Sequence, residues 1–577
     1  MFIFDLFRVR KRIKAPWEKY YTLKDKKLRI PDITIYDQVV KSAKKYPNYR
    51  AIRYFNTIIN FKNLVKKIDR TAVCYSNLGI KKGDIVTICS PNIPEALISV
   101  YALNKIGAIA SMLHPLSAEE EIKDSLNSTN SSYLLTLDMF YEKVSNIIDD
   151  TKVKKVLMTS ASDSMGILLK LGYKITQIGK VKSYRKNKKF LSWKKFLRKY
   201  YYNKDMKFKK FGKNTPAVIL QSGGTSGNPK NVVIQNRAFI LGSMQEKIQL
   251  KRLVPGDSAL AIMPNFHGFG LSVSMHSPLA LGCYTILVPQ FNAKTIDTLF
   301  KKYNPSCILA VPTLFEALTN SNNVKNLDLS NLKYVVSGGD LLPKNLEDKI
   351  NNYLKEHGCD SKISQGYGLS EALAAVTLAC DDVNKSGSVG IPLCTNHIKA
   401  IDPNTRKALP ANEVGELCIH SKALMMGYLN NESETNSALQ IHEDGHIWLH
   451  TGDLGYLDKD GFVFIKGRLK RMIITSGYNV YPSHIEEVIE KHPAVLQCTV
   501  VGLPHPYKQQ IPKAFIVLKE GYYDTKKLKE EIKEYCKKNL AKYMVPYEFE
   551  YRKKLPRTKL GKVDFRKLQG EVASNEK

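Results

Sequence analysis

The sequence predicts layered α/β architecture: a large N-terminal domain of α/β subdomains with a β-rich subdomain, then a small α+β C-terminal domain. Three observations carry this. The chain has 577 residues, beyond the size at which one hydrophobic core stops growing. Short β-rich runs such as "DIVTIC", "SCILAV" and "LKYVVSGG" alternate with helix-like segments, the pattern of largely parallel sheets. Past about residue 400 the texture changes to strands joined by tight turns, and after "GRLKR" to a compact stretch of about a hundred residues ending in a lysine-rich tail. The boundary is placed near Gly467, giving domains 1–467 and 468–577.

Composition bounds the rest. Apolar residues make up 43% and charged residues 25%, as in a globular protein with disorder confined to its ends. Ten cysteines, with no CxxC pair, read as reduced thiols of a cytoplasmic protein and as small buried residues. No run reaches the roughly 18 apolar residues of a membrane span. The start, "MFIFDLFRVRKR", is too short and too early acidic at Asp5 for a secretory signal. It reads either as a frayed end or as a surface-lying segment with Phe2, Ile3, Leu6 and Phe7 on one side.

The net charge of +34 implies attraction to polyanions. Between Lys170 and Lys213 lie 17 Lys or Arg against one acid, Asp205, interleaved with Phe190, Trp193, Phe196 and Tyr200 to Tyr202. A solvated lysine-rich face is the simplest reading. A weak, salt-sensitive contact with an anionic membrane, on its inner face, comes next. Nucleic acid comes last, because no RNA-recognition signature accompanies the charge.

The β-rich region reads in order. "GELCIHS", "HIWLHTGDLGYL" and "FVFIKGR" are strands, with turns at Asp444-Gly445 and Asp460-Gly461. "HEDGH", His442 to His446, satisfies the zinc-protease pattern literally, but that chemistry needs a helix where Asp444-Gly445 predicts a turn. Metal is not expected there.

"QSGGTSGNPKNVV", Gln221 to Val233, follows the apolar run "TPAVIL". Ser222, Gly223, Gly224, Thr225, Ser226, Gly227 and Lys230 offer backbone N–H groups, hydroxyls and an ammonium to phosphate oxygens. It is not the common nucleotide P-loop, because Asn228 and Pro229 separate Lys230 from Gly227. Further motifs follow in order: "SGGDLLP" with Gly338, Gly339 and Asp340; "QGYGLSEA" with Gln365, Gly366, Tyr367, Gly368, Ser370 and Glu371; "HTGDLGYL" with Asp453; "GRLKRMIITSGYNVYP" with Arg468, Lys470 and Gly477; and "LPRTKLGKVDFR" with Lys562.

Together these motifs resemble the adenylate-forming superfamily, over about residues 30 to 570, and most of all its bacterial long-chain fatty acyl-CoA synthetases. The resemblance implies two steps: a carboxylate attacks the α-phosphate of ATP, then the thiol of coenzyme A displaces AMP. It implies that the opening loop holds the β- and γ-phosphates. Glu371 and Thr225 would hold Mg²⁺, a hard cation wanting oxygen ligands. Tyr367 would stack on adenine, in a pocket lined by Gly339 and Asp340. Asp453 would take the ribose hydroxyls, with Arg468 beside it. Lys562 would be the catalytic cation bridging carboxylate and α-phosphate. Lys470 sits at the hinge of a mobile C-terminal domain, whose rotation would withdraw Lys562 and bring Gly477 to the thiol channel. Arg471 stands where the family commonly has an acid, and Asn231 where it has glycine after the lysine.

"MPNFHGFG", Met263 to Gly270, addresses the acid. Peptide-activating relatives place an aspartate where this chain has His267, so a substrate ammonium would be buried unpaired. A plain carboxylic acid is expected, with His267 near its carboxylate and Gly268, Gly270 and Ser272 leaving room for a tail. A fatty acid is preferred; an aryl or medium-chain acid, an acyl-AMP ligase loading a carrier protein, and a silent lipid or nucleotide sensor are the alternatives. A carrier-loading ligase typically carries an insertion after the main domain, and none stands around Gly467.

Overall fold

The structure is a computed structural model that describes residue 13 and residues 15–176, 187–222, 229–324, 326–379, 381, 383–475, 478–557 and 563–574. Its chain gathers into two compact units, residues 1–397 with 420–449, and residues 398–419 with 450–577.

The first unit is built on two sheets. In the eight-stranded one the order is Gly427–Tyr428, Lys230–Gln235, Pro216–Ser222, Ile109–Leu113, Ile85–Cys89, Tyr133–Leu137, Lys155–Thr159, Phe190–Ser192. Its middle is parallel, because helices such as Pro94–Lys105 and Glu119–Ser128 carry the chain back between strands. The nine-stranded sheet runs Ile391–Pro392, Ala374–Leu378, Ile363–Leu369, Tyr334–Gly338, Cys307–Ala310, Ser258–Ala261, Tyr284–Leu287, Arg50–Tyr54, Thr57–Asn60. The expected strands in "DIVTIC", "SCILAV" and "LKYVVSGG" are all present. They read as near-continuous apolar runs because both faces are covered: every residue of Cys307–Ala310 and Tyr334–Gly338 is buried.

In the second unit, Gly415–His420, Ile447–Leu457 and Val463–Arg468, the three strands expected beyond residue 400, share a sheet with His397–Ile401. The other pairs Val495–His505 with Gln509–Leu518, adds Ile473–Thr475 and Glu548–Tyr551, and packs helices Pro482–Glu490 and Lys526–Asn539 over a core that includes Ile485, Ile489, Val500, Ile516 and Ile532.

Two stretches take definite form. The aromatic residues of the basic stretch turn inward: Phe190, Trp193 and Phe196 are buried, Phe196 lying 5.2 Å from the Tyr75 ring, while the lysines between them point outward. Apolar desolvation takes the rings inward and leaves the charges in water. "HEDGH" is the expected turn: His442 and His446 pair through the main chain at 3.0 Å, and Gly445 has φ +75. The carboxylate of Asp444 accepts from the His446 amide and the Trp448 indole, a local tie that serves the turn. All nine cysteines among the described residues are buried thiols, and no described helix is long and apolar enough to cross a membrane.

Candidate active site

In the first unit, strand pairing fixes both ends of the phosphate-loop motif. Ser222 closes the strand Pro216–Ser222, and Lys230 opens its antiparallel partner directly opposite. Gly223, Gly224, Thr225, Ser226 and Gly227 lie outside the described residues. The Lys230 ammonium donates to Glu434 Oε2 at 2.5 Å and lies 4.7 Å from the centre of the Tyr428 ring. The Tyr428 hydroxyl donates in turn to Glu371 Oε1 at 2.9 Å. Burial, then the Glu371 carboxylate, pushes the Tyr428 hydroxyl far above its ordinary range, so it stays a donor. Tyr428 is held there because the short strand Gly427–Tyr428 pairs with Lys230–Gln235, and the Met425 amide anchors the Glu371 carbonyl at 2.7 Å.

Tyr428 and Glu434 escaped sequence reasoning. Glu371 and Tyr428 are 57 residues apart, and no spacing rule joins them.

The second group sits on two adjacent parallel strands. Gly338 lies beside Gly366, and Ser337 beside Gln365. Gly339 and exposed Asp340 follow at the strand end. Tyr367 is half-buried, its amide donating to Thr377 Oγ1 at 3.2 Å. At Gly368 a Cβ would fall 1.2 Å from the Ala374 carbonyl oxygen, so the glycine there is required by the neighbouring strand. The single turn Ser370–Ala372 then presents Ser370 and Glu371.

His267 stands just before the π-helical segment Phe269–His276, its ring 4.9 Å from that of Phe266. Wide turns of this kind recur at functional sites. The small residues nearby do not act as expected. A Cβ at Gly268 would meet the Leu373 carbonyl oxygen at 2.0 Å, and one at Gly270 the Pro264 carbonyl oxygen at 2.0 Å, while Ser272 is buried. These residues are small so that main chain can approach main chain, rather than to leave space for a tail. The contact at Gly268 also seats the His267 segment against the turn that carries Glu371. Leu373, in that turn, has the left-handed φ of +67, a strained value for leucine. Deeper in, His276 is a neutral core histidine: burial holds it down to about 3, and it links Tyr101 at 3.1 Å to Gln38 at 2.9 Å.

In the second unit, antiparallel pairing puts Asp453 opposite Arg468, with Nε to Oδ1 at 2.6 Å. Asp453 is nearly sequestered at 4% exposure, its amide donating to Thr451 Oγ1 at 3.0 Å. One residue earlier, the Gly452 amide donates to Glu416, which also faces His450 Nδ1 at 2.9 Å. Burial works to raise the Glu416 carboxyl, but these hydrogen bonds outweigh it and hold it below its ordinary range. Lys470 lies in the single turn Leu469–Arg471. Arg471 finds the partner that its own neighbourhood in sequence lacks: Glu486 at 2.5 Å, with the Phe565 ring 4.8 Å away. Gly477 and Lys562 lie outside the described residues.

Residues 39–429 match the AMP-binding enzyme family, and residues 484–562 match the AMP-binding enzyme C-terminal domain. The chain belongs to the AMP-binding enzyme family. It is 31% identical to the long-chain-fatty-acid–CoA ligase of Bacillus subtilis (strain 168), over 95% of this chain and 96% of that one. It is 29% identical to a probable 4-coumarate–CoA ligase 1 of Dictyostelium discoideum, over 92% and 94%. Among solved structures, the anthranilate CoA ligase AuaEII in complex with anthranoyl-AMP superposes with a TM-score of 0.81 at 22% identity, covering 96% of this chain and all of that one, which shows the shared fold. This family member is an adenylate-forming acid–CoA ligase: its substrates are a carboxylic acid, ATP and coenzyme A.

Proposed function

We propose that this ligase acts on long-chain fatty acids, forming acyl-adenylate and pyrophosphate and then acyl-CoA and AMP, in a reducing cytoplasm. The observation that carries the acid's class is the 31% identity to a fatty acid ligase across nearly the whole chain. His267 in place of an acidic partner adds to it, since nothing at that position would neutralise a substrate ammonium.

The residues take the following roles in this reading. Lys230, released from Glu434, meets the leaving phosphates together with Ser222 and the loop 223–227. Glu371, positioned by Tyr428, would hold Mg²⁺, and Thr225 would add a hydroxyl. A carboxylate already organised by a phenol donor suits a hard cation. Mg²⁺ would neutralise phosphate charge when bound. Gly338, Gly339, Asp340, Gln365, Gly366, Tyr367, Gly368 and Ser370 frame adenine, and Asp453 with Arg468 addresses the ribose. His267 faces the carboxylate. Lys562 serves adenylation, and rotation of domain 468–577 about Lys470 brings Gly477 to the thiol. The basic stretch 170–213 adds a weak contact with anionic membrane.

The test is pyrophosphate release with a panel of saturated fatty acids and aryl acids, with and without coenzyme A. Highest kcat/KM with long saturated acids, and release of AMP rather than ADP, is the expected result. Preference for aryl acids would favour the second reading, which the 29% identity to the 4-coumarate–CoA ligase supports. Acyl-AMP accumulation unaltered by coenzyme A would point to a carrier-loading ligase.

A further inference from the structure

The helix Ile167–Thr176 is turned inside out. None of its ten residues is buried. Ile167 is 79% exposed, Leu168 85%, Leu171 54% and Ile175 68%. At 100° per residue these four fall on one stripe about 100° wide. The side toward the protein instead carries Leu169, Lys170 and Tyr173, which are the less exposed positions. Elsewhere among the described residues, the exposed large apolar side chains make no run along one helix face, the normal scatter of a surface.

The surroundings say what covers the stripe. From Ile167 to Lys199 the sequence has 12 Lys or Arg and no Asp or Glu. Lys174, beside the stripe, and Lys188, Lys194, Lys195, Arg198 and Lys199 are exposed. Lys170 and Lys194 both reach Asp163, at 3.9 and 3.5 Å, which sets the helix Trp193–Lys199 beside the start of Ile167–Thr176. An apolar stripe beside exposed cations, in a stretch with no acid of its own, matches the boundary between acyl chains and anionic headgroups. Nucleic acid would leave the stripe in water. A second copy would bring two strongly basic surfaces together.

We propose that Ile167–Thr176 is a membrane-seated helix, which lies in the interface of an anionic bilayer with Ile167, Leu168, Leu171 and Ile175 among the acyl chains. The proposal deepens the membrane contact named above and is independent of which acid the enzyme uses. It changes the character of that contact: charge brings the protein to the surface, and apolar burial keeps it there when salt screens the charge.

The experiment is co-sedimentation of the full chain with phosphatidylcholine vesicles, with and without phosphatidylglycerol, at low and at high salt. The wild type should pellet with anionic vesicles and keep a bound fraction at high salt. Leu168→Glu/Leu171→Glu should weaken partitioning by about tenfold or more, since it removes two apolar contacts and adds two repelled charges. A second measurement places the helix itself. The three tryptophans of the chain, Trp17, Trp193 and Trp448, are all buried, so a Leu168→Trp variant should be quenched selectively by brominated lipid. Binding that salt abolishes and the double variant shares would overturn the seated helix and leave a purely electrostatic contact. No binding under any condition would overturn both. Lipid-independent self-association of the wild type, lost in the double variant, would make the stripe an interface between copies and overturn the proposal.

Discussion

One side chain outside the sequence motifs, Tyr428, joins two of their residues. Tyr428 places the carboxylate of Glu371 and shelters the ammonium of Lys230, so Tyr428→Phe removes a donor while preserving the ring. Leaving a half-buried carboxylate short of one hydrogen bond costs about 1–3 kcal/mol. The expected outcome is a fall of about fivefold to a hundredfold in kcat/KM for ATP, with a higher Mg²⁺ concentration needed for half-maximal rate, read from pyrophosphate release across a Mg²⁺ titration. Glu95 offers a test by pH. Buried in the helix Pro94–Lys105, with Ser164 donating at 2.6 Å, its carboxyl is raised by that burial from 4.5 to about 7. Between those values the folded chain binds the proton more readily than the unfolded chain. Its contribution to stability is therefore present at low pH and is lost as pH rises from about 4.5 through about 7. Glu95→Gln keeps the acceptor for Ser164 and abolishes the titration. The variant should melt above the wild type at pH 8 and close to it at pH 4.5, by calorimetry at both pH values.

At the scale of elements, packing decides which glycines tolerate change. Gly368 and Gly366 share the strand Ile363–Leu369, yet a Cβ would meet backbone at 1.2 Å in the first and 3.2 Å in the second. Gly368→Ala must push its strand away from Ala374, at a cost of about 1–3 kcal/mol or more; Gly366→Ala needs only a small adjustment. Urea midpoints of the two variants should separate in that order. The strands were legible because short apolar runs bounded by glycine or proline have few other solutions, and the Asp444-Gly445 turn because its chemistry is local. Three things were illegible. The meeting of Lys230, Tyr428, Glu371 and Glu434 depends on pairing between distant strands. The inward rings of Phe190, Trp193 and Phe196 depend on a core that the local pattern does not display. The outward stripe of Ile167–Thr176 has the composition of an ordinary core helix, and only its exposure among the described residues distinguishes it.

For the whole molecule, the proposed rotation of the C-terminal domain would make the half-reactions separable. Lys562→Ala removes the cation proposed for adenylation, a loss of about 10²- to 10³-fold, and should spare thiol transfer from preformed acyl-adenylate. Gly477→Leu should do the reverse by filling the proposed thiol path. Supplying each variant first with acid and ATP, then with acyl-adenylate and coenzyme A, checks both. If each folded variant loses both steps equally, rotation about Lys470 is not how this enzyme works.

The buried cysteines turn the fold into its own clock. Attack on an alkylating reagent needs a solvated thiolate, and burial pushes Cys74 to about 11 and Cys89, Cys283, Cys394 and Cys536 to about 12. Each can therefore react only during a fluctuation that admits solvent. Cys74, Cys89, Cys283, Cys307, Cys359 and Cys394 belong to the first unit, and Cys418, Cys498 and Cys536 to the second. Alkylation followed peptide by peptide would time the breathing of each unit separately, with the unmutated protein as its own probe.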